Sequence, residues 1–322
     1  LNDALGSFKE AFGEEINPNS PSQLKKALEK KGVKLTDTSE QTLKEEDRPL
    51  TTCILRYRSA KKQMEQAETL LKAIEEDGRI HARFEPAGTN TGRFSSKSPN
   101  LQNIGRGKLR HCFVPDEGNR LVVADYSQVE LRVAAVIANE ERMIEAYKNG
   151  EDLHRQTASI VLGKTSTYIT KEDRQLAKAV NFGLLYGQSA KGLVAYAKKA
   201  YGVEMGDERA QDIRGRFFSA YTGLWEWHKN ARKMAAEGTQ SVHTVLGRKR
   251  WLPEEKDAEW FRFVALLNTP VQGGSADALK QAMVNLADKL PNTASIVSTV
   301  HDELIVECAS DTAEEVKALL ET

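Results

Sequence analysis

The chain has 322 residues and 40% of them are hydrophobic, enough to bury a real core and, by length, to form two or three domains. Basic and acidic residues both number 46, so the net charge points to no polyanionic partner, although a local patch can still bind one. Three widely spaced cysteines favour a reducing compartment, and no apolar run reaches the roughly 18–20 residues of a membrane span.

The first 77 residues are predicted to be helical and highly charged. The opening LNDALGSFKEAF has the pattern of an amphipathic helix and lacks the layout of a signal peptide. The helix PSQLKKALEKKG is predicted to be capped by Ser20 or Ser22 and to end at Gly32. Polar stretches at 17–22 and 36–49 are predicted to interrupt the helices. Because DTAEEVKALLET stops inside another helical pattern, we expect the sequence to be a piece of a longer protein.

Residues 78–115 are rich in glycine, serine, asparagine and proline, and are predicted to form short extended pieces. Within them, the stretch 86–115 contains no acidic residue and five of its cations are Arg93, Lys97, Arg106, Lys108 and Arg110. Amide and hydroxyl side chains surround these cations, as in surfaces that contact phosphates and sugars. A solvated loop is the alternative interpretation.

The rest of the chain is predicted as strands that flank a large helical region. The strand RLVVADYSQ at 120–128 leads into a helical pattern, and residues 140–240 are almost all helix. Breaks in that region are predicted near four glycines, Gly150, Gly163, Gly202 and Gly223. A hairpin around Leu246 and Gly247, a helical segment at 257–290 and a strand at 295–308 complete the chain. This order predicts an α+β fold.

Two predicted strands contain an acidic residue where an apolar one is expected. RLVVAD ends on Asp125, and STVHDE places Asp302 in a second strand, with Glu303 on the opposite face. If the strands are neighbours in one sheet, the aspartates could share divalent cations about 3.5–4 Å apart, which supports in-line displacement at phosphorus. Mg²⁺ suits such a site because it binds one or two carboxylates plus substrate phosphates. Alternatively, Asp125 caps a turn and Asp302 pairs with an arginine.

The segment 172–192 is predicted to be a helix with a ridge of four side chains, Arg174, Lys178, Phe182 and Tyr186. Their spacing of four residues gives a ridge about 18 Å long. Two cations followed by two aromatics fit a nucleoside triphosphate, with phosphates on the cations and sugar or base on the rings. An amphipathic helix with inward aromatics is the alternative. Gly183 and Gly187 favour the triphosphate, since they leave room for a flat partner.

Asn268 and Gln272 provide a second group of amide donors, in LLNTPVQGGSAD on a predicted helix. Minor-groove acceptors occupy nearly equivalent places on every base pair. These amides, together with the arginines of 86–115, could therefore contact a duplex without reading its sequence.

Three long motifs, in order, resemble those of family A DNA polymerases of the bacterial DNA polymerase I type. DYSQVELR at 125–132, RQLAKAVNFGLLYG at 174–187 and VHDELIVE at 300–307 are similar to motifs A, B and C. TNTGRFSSKSPNLQNI, DLHRQTA and LNTPVQG resemble further family segments. The resemblance implies a right-hand polymerase fold, α+β, with an antiparallel palm sheet, helical fingers and a partial helical thumb. The implied domains are a partial thumb at 1–77, palm at 78–131 and 241–322, and fingers at 132–240.

The resemblance also implies roles for individual residues. The implied catalytic residues are Asp125, Asp302 and Lys178, and the implied metal ligands are Asp125, Asp302 and the backbone carbonyl of Tyr126. The implied dNTP contacts are Gln128, Glu130, His154, Arg174, Lys178, Phe182 and Tyr186. The implied DNA contacts are Arg93, Asn268, Gln272, His301 and Glu303. Among these, Glu130 matches the steric gate against a 2′-hydroxyl, Phe182 the residue that stacks on the incoming sugar, and Tyr186 the one that exchanges places with the templating base.

The implied function is template-directed DNA synthesis from dNTPs on a primer-template, with two Mg²⁺ ions and with Mn²⁺ as a substitute. The implied protein is a monomer with no membrane partner. It is expected in a bacterial or phage-infected cytoplasm, or in an organelle of bacterial descent, and is not secreted. Glu130 together with the Asp302–Glu303 pair favours deoxynucleotides, and Phe182 predicts poor acceptance of dideoxynucleotides. The alternatives are a non-catalytic duplex-DNA-binding fragment and a two-metal nuclease, although a nuclease has no need for the ridge.

The sequence departs from the family pattern in several places. Val264 lies where the family usually has an arginine four residues before Asn268, and Arg262 is nearby. The thumb is expected to lack its first helices, and the chain to stop before the last elements of the palm. The residues of this sequence include no exonuclease-like domain, so neither proofreading nor 5′-nuclease activity is expected of them.

Overall fold

The computed structural model of this chain describes residues 1–105 and 107–321, apart from the side chain of Lys256. Arg106, one of the cations of the predicted basic stretch, lies outside the described residues. The chain divides into two compact units. The first comprises Leu1–Arg83 and Ser96–Phe113, and the second comprises Phe84–Ser95 and the chain from Val114 onward.

The first unit is helical. Its four α-helices are α1 (Asn2–Phe12), α2 (Pro21–Lys30), α3 (Glu40–Glu46) and α4 (Pro49–Leu71), and two short 3₁₀ helices are Leu101–Asn103 and Lys108–Cys112. Apolar side chains of all four α-helices form its core, among them Phe8, Leu24, Leu28, Leu43 and Ile54. The Ser20 hydroxyl accepts a hydrogen bond from the Gln23 amide, so Ser20 is the cap of α2.

Helix α3 lies inside the polar stretch 36–49, where an interruption was predicted, so that prediction was wrong. The helix forms because the Ser39 hydroxyl caps it by accepting from the Thr42 amide, and because Leu43 supplies a fully buried anchor. A single apolar residue in seven is too weak a periodic signal to predict such a helix from sequence.

Two three-residue strands, β1 (Arg83–Glu85) and β2 (Ser95–Lys97), precede the sheet of the second unit. That sheet consists of β3 (Asn119–Asp125), β6 (Ala294–Val300) and β7 (Glu303–Ala309), in the order β3-β7-β6, and both pairings are antiparallel. Leu304, Val306 and Cys308 of β7 are buried in a core shared with two helices, α13 (Gly274–Ala287) and α14 (Ala313–Glu321).

The predicted strand 295–308 is in fact two strands of a hairpin. Val300 pairs with Glu303, so the loop between β6 and β7 consists of His301 and Asp302. His301 has a φ of 59°, and a positive φ at the first loop residue is typical of a tight two-residue hairpin. The sequence contains no signal for this turn, because apolar runs flank His301 and Asp302 on both sides and neither of the two is a glycine.

Seven α-helices lie between β3 and β4 in the second unit. They are α5 (Val129–Ile137), α6 (Glu141–Lys148), α7 (Leu153–Leu162), α8 (Lys171–Leu185), α9 (Ala190–Tyr201), α10 (Asp207–Ala220) and α11 (Thr222–Ala236). Predicted breaks at Gly150, Gly163 and Gly202 are confirmed, and each of these glycines has a positive φ. The break predicted near Gly223 is also confirmed, since α10 ends at Ala220 and α11 begins at Thr222; Gly223 itself is the second residue of α11, where its amide donates to the Glu140 carboxylate at 2.8 Å.

The predicted hairpin around Leu246 and Gly247 is confirmed. Strands β4 (Ser241–His243) and β5 (Lys249–Trp251) pair antiparallel, and Gly247 has a φ of 87°. Helix α12 (Glu259–Asn268) continues through a π-helical turn, Thr269–Gly273, into α13. In the described part of the chain, no helix combines the length and apolar character needed to cross a membrane.

Candidate functional site

The sheet brings the two predicted aspartates to one end. Asp125 is the last residue of β3 and pairs with Glu303, the first residue of β7, while Asp302 lies in the turn just before it. The Tyr126 amide donates to the Asp302 carbonyl oxygen at 3.2 Å. Thus β3 and β7 are neighbours, as the sequence predicted, but Asp302 occupies a turn and not a strand.

Asp125, Tyr126 and Asp302 line one cavity of about 730 Å³. Its other walls are mostly apolar side chains of α5, α13 and α14, with the tip of the β4–β5 hairpin. The two carboxylates therefore lie at a recess large enough for part of a nucleotide or primer terminus.

Two carboxylates and a backbone carbonyl fit Mg²⁺, which takes few protein ligands and completes its shell with phosphates and water. Among residues 1–105 and 107–321, no group of three or more histidine, cysteine, aspartate or glutamate side chains could hold a metal by itself. The donor set therefore suits an ion that arrives with a phosphate substrate and does not suit a closed structural site.

Three of the four ridge residues, Arg174, Lys178 and Phe182, lie half-buried on α8. The helix begins with a capping box between Thr170 and Asp173 and ends at Leu185. The expected continuation to residue 192 was therefore wrong, and Tyr186 lies just beyond the last helical residue. Gly187, with a φ of 81°, turns the chain there.

The two glycines near the ridge serve packing. A Cβ on Gly183 would lie 2.9 Å from a Leu193 methyl carbon of α9, and one on Gly187 would lie 2.7 Å from the Phe263 ring of α12. Both glycines therefore allow neighbouring helices to approach closely. The prediction that they leave room for a flat ligand was wrong, because the space is filled by this chain's own side chains.

Arg174 forms an ion pair with Asp152 that was not predicted. The guanidinium Nε lies 2.6 Å from Asp152 Oδ2, and Asp152 also caps α7 by accepting from the Arg155 amide. Burial raises the pKa of Asp152, but the hydrogen bonds from Arg174 and Arg155 outweigh it and hold this pKa below its usual value. Arg174 is thus held in one place while 40% of its side chain stays exposed.

Glu130 of α5 connects residues that the sequence assigned to different partners. Its carboxylate accepts from the guanidinium of Arg93 and from the phenol of Tyr186. Burial, together with the negative charge of Glu130, raises the pKa of Tyr186, and Gln272 also hydrogen-bonds this phenol. Arg93, Glu130, Tyr186 and Gln272 therefore form one polar cluster, at which predicted nucleotide and DNA contacts meet.

The predicted basic stretch is divided between the two units. Arg93 belongs to the second unit, whereas Lys97, Lys108 and Arg110 belong to the first. The sequence analysis grouped these cations because composition along the chain does not show where one compact unit ends and the next begins.

His154 and Gln128 are both held by hydrogen bonds. His154 is buried, its ring centroid lies 6.0 Å from that of Phe182, and its Nδ1 lies 2.8 Å from the Asn181 amide nitrogen. Burial, followed by the positive charge of Arg174, lowers the pKa of His154 to about 4. Gln128 has a φ of 55° and accepts from the Tyr147 hydroxyl at 3.2 Å.

The family model described as DNA polymerase family A matches residues 2–322. The chain belongs to this family. It is 42% identical over 319 residues to DNA polymerase I of Aquifex aeolicus, covering 95% of this chain and 54% of that protein. It is 36% identical over 338 residues to the thermostable DNA polymerase I of Thermus thermophilus, covering 95% and 39%. This chain thus spans about half or less of the length of these relatives.

A solved family structure has the same fold. The POL domain of Pol1 from M. smegmatis, in complex with DNA primer-template and dNTP, matches with a TM-score of 0.88 and 32% identity, covering 99% of this chain and 59% of that one. This likeness, with the antiparallel sheet and its helical neighbours, confirms the predicted α+β polymerase fold.

Two further residues predicted to contact DNA lie at the end of a helix and in a turn. Asn268 is the half-buried last residue of α12, and His301 is exposed in the β6–β7 turn. Arg262, near the family's usual arginine position, is buried, and its guanidinium donates to backbone carbonyls of Ala235, Pro253 and Glu255. Arg262 therefore stabilises the fold, and it does not take the role of the arginine that was expected at position 264.

Arg248 was missed by the sequence analysis. Its Nε donates to Asp277 at 2.9 Å and its Nη2 donates to the Thr91 carbonyl at 2.6 Å, while Lys280 donates to the Gly92 carbonyl at 2.6 Å. A Cβ on Gly92 would lie 2.3 Å from the Arg248 guanidinium carbon. These contacts hold the loop just before Arg93. No sequence signal could have shown them, because they join three distant segments.

Proposed function

We propose that this chain synthesises DNA, transferring deoxynucleotides from dNTPs to a primer 3′-hydroxyl as a template directs and releasing pyrophosphate. The observation that carries the proposal is the β3–β7 pairing, which brings Asp125 and Asp302 to one cavity in a chain of family A. The bound primer-template and dNTP of the M. smegmatis relative support the same partners here.

The proposed domains are a partial thumb at 1–77, fingers at 132–240, and a palm at 78–131 and 241–322. This division is supported by the helical character of α1–α4 and α5–α11, and by the presence of β3, β6 and β7 in the proposed palm segments. Action as a monomer, and a location in a bacterial or phage-infected cytoplasm or in an organelle of bacterial descent, stay predictions.

Asp125, Asp302 and the Tyr126 carbonyl would hold two Mg²⁺ ions, with Mn²⁺ as a substitute. When bound, these ions would lower the pKa of the primer hydroxyl and stabilise negative charge on the leaving oxygen. Both aspartates line the same cavity, and the strand end and the turn that carry them are joined by the backbone hydrogen bond between Tyr126 and Asp302.

Arg174 and Lys178 would bind the triphosphate, and Phe182, one turn further along α8, would stack on the sugar. The primer 3′-hydroxyl loses its proton to solvent and its oxygen attacks the α-phosphorus, so that a new P–O bond forms and the bond to pyrophosphate breaks. Lys178 donates a proton to the departing pyrophosphate. Because little covalent chemistry falls to the protein, positioning by these side chains supplies much of the rate.

Glu130, Tyr186, Gln128 and His154 would complete the nucleotide site, and Glu130 would exclude a 2′-hydroxyl. Arg93, Asn268, Gln272, His301 and Glu303 would contact the primer-template duplex. The cluster around Glu130 supports this arrangement, since it joins the proposed nucleotide contacts to the proposed duplex contacts Arg93 and Gln272.

Primer extension with Mg²⁺ on a primed template tests the proposal, using dNTPs or rNTPs and the variant Asp302→Ala. We expect extension with dNTPs, little with rNTPs, and a loss of at least about 10³-fold in Asp302→Ala with DNA binding retained. Asp311→Ala, in an exposed turn after β7, is the matched control and is expected to extend normally. Primer shortening would indicate a two-metal nuclease, and binding without extension would indicate a duplex-binding fragment.

A further inference from the structure

Four buried side chains form a chain of hydrogen bonds that ends at His154. The Tyr221 hydroxyl lies 2.8 Å from Thr157 Oγ1, Thr157 Oγ1 lies 3.0 Å from Asn181 Oδ1, and Asn181 Nδ2 lies 2.8 Å from His154 Nδ1. Tyr221, Thr157 and Asn181 are fully buried, and 2% of His154 is exposed. The four residues come from α7, α8 and the junction of α10 with α11.

With the Asn181 amide oriented as the structure places it, the hydrogen bonds run in one direction. Thr157 has a single hydroxyl proton and donates it to Asn181 Oδ1, so Tyr221 must donate to Thr157. With Oδ1 accepting from Thr157, the amide of Asn181 presents its NH₂ to His154 Nδ1. Nδ1 must then be an acceptor. A neutral imidazole has one donor and one acceptor nitrogen, so its proton lies on Nε2.

The surroundings of His154 keep it neutral. Burial is the largest cause that lowers its pKa, to about 4, and Arg174 and Lys178 lower it further while Asp152 opposes them. The ring is therefore uncharged near neutral pH, and its tautomer decides whether Nε2 presents an N–H group or a lone pair.

We propose that Asn181 and Thr157 are positioning residues that hold His154 as the Nε2–H tautomer, so that His154 presents a hydrogen-bond donor to the phosphates of the incoming dNTP. This inference rests on the proposed function, in which Arg174, Lys178 and Phe182 bind that dNTP. His154 lies beside these residues, as its ring contact with Phe182 and its electrostatic interactions with Arg174 and Lys178 show. An anionic phosphate accepts from an N–H and is repelled by a lone pair.

The two positioning residues act without touching the nucleotide. If Thr157 lost its hydroxyl, Asn181 could turn its amide and offer Oδ1 to His154, which would favour the opposite tautomer, with the proton on Nδ1. A serine at 157 would keep the donor. The pair Thr157→Val and Thr157→Ser therefore separates hydrogen-bond direction from packing, since valine keeps the volume and serine keeps the hydroxyl.

The experiment is long-range ¹H–¹⁵N NMR of the full chain with ¹⁵N-labelled histidine near pH 7.5, with His154 assigned by the signal lost in His154→Gln. We expect the Nε2–H tautomer in the wild type and in Thr157→Ser, and a shift toward Nδ1–H in Thr157→Val. Thr51→Val is the matched control, because Thr51 is another fully buried threonine whose hydroxyl donates to a carbonyl, in the first unit. It is expected to leave His154 unchanged.

Steady-state primer extension adds the functional readout. We expect Thr157→Val to raise the KM for dNTP about tenfold with kcat nearly unchanged, the cost of one charge-assisted hydrogen bond, and Thr157→Ser to restore it. A protonated or Nδ1–H His154 in the wild type, or an unchanged tautomer in a folded Thr157→Val, would overturn the tautomer assignment. A changed tautomer with an unchanged KM would overturn the link to the nucleotide. A wild type that shows the tautomer but extends no primer would contradict the proposed function instead.

Discussion

Tyr126 and Asp302 are joined by a backbone hydrogen bond, in which the Tyr126 amide donates to the Asp302 carbonyl oxygen at 3.2 Å. This bond extends the β3–β7 ladder one step beyond the pair of Asp125 and Glu303. The end of one strand is therefore tied to the turn that holds the second aspartate. The separation of the two carboxylates depends on the geometry of that turn.

We expect the turn to tolerate His301→Asn and to be strained by His301→Val. His301 has a φ of 59°, which asparagine adopts readily and which a β-branched residue strongly disfavours. The valine variant should lose roughly 1–3 kcal/mol of unfolding free energy and more primer-extension activity than the asparagine variant. Urea unfolding and extension assays measure both. Asp311→Val, at an exposed turn position without a positive φ, is the control, and equal stability of the two His301 variants would count against the prediction.

Glu130→Ala is expected to weaken discrimination against rNTPs by about tenfold or more, measured as the ratio of kcat/KM for dNTP and rNTP. The carboxylate both fills space and accepts from Arg93 and Tyr186, so its removal also frees these two side chains. Tyr186→Phe removes one of those hydrogen bonds and keeps the carboxylate, so it should retain discrimination. Glu141→Ala, exposed at the start of α6, is the control. Unchanged discrimination in Glu130→Ala would show that Glu130 is no steric gate.

Arg248→Met is expected to destabilise the protein by about 3 kcal/mol, because it leaves the carboxylate of Asp277 buried without its partner. It should also release the loop before Arg93, which Arg248 holds at the Thr91 carbonyl. The activity losses of Arg248→Met and Arg93→Ala should then be less than additive in the double variant.

A matched control for Arg248 is Arg262, whose guanidinium also donates to backbone carbonyls but holds no part of that loop. Arg262→Met is expected to lower stability and to combine additively with Arg93→Ala. Fully additive losses for Arg248 and Arg93 would mean that Arg248 acts on stability alone.

The buried His228 predicts a loss of stability in mild acid. Burial lowers its pKa to about 4, aided by Arg232 and Arg214, although its hydrogen bond to the Leu185 carbonyl opposes the shift. The unfolded chain binds a proton near pH 6.5 and the native chain does not, so stability is full above about pH 6.5 and falls as the pH drops toward 4. Between about pH 7.5 and 5, the free energy of unfolding of His228→Gln should therefore fall by about 2 kcal/mol less than that of the wild type.

Urea unfolding at the two pH values measures this difference. His81 is a control of opposite sign, because its hydrogen bond to Asp77 raises its pKa, so that its contribution is present at low pH and lost as the pH rises. His81→Gln should therefore be destabilised more at about pH 5 than at about pH 7.5. An equal pH dependence in the wild type and His228→Gln would contradict the prediction.

The candidate site was predictable from sequence where each residue lies in a local pattern. Asp125 ends an apolar run, and Arg174, Lys178 and Phe182 recur at the helical period, so short-range spacing located them. The end of α8 at Leu185 and the turn at Asp302 were not predictable in the same way. For α8 the reason is that Gly183 and Gly187, near its end, are small in order to allow contacts with Leu193 and Phe263 on other helices.

The sequence by itself determined the family, the α+β class, most helices and the identity of the two aspartates, because periodic patterning and motif spacing are local properties of the chain. The tertiary structure decided that Asp125 and Asp302 share one cavity, that Glu130 joins Arg93 to Tyr186, and that Asn181 faces His154. Each of these contacts joins residues far apart in the chain, and its geometry depends on strand register and helix packing, which no local pattern specifies.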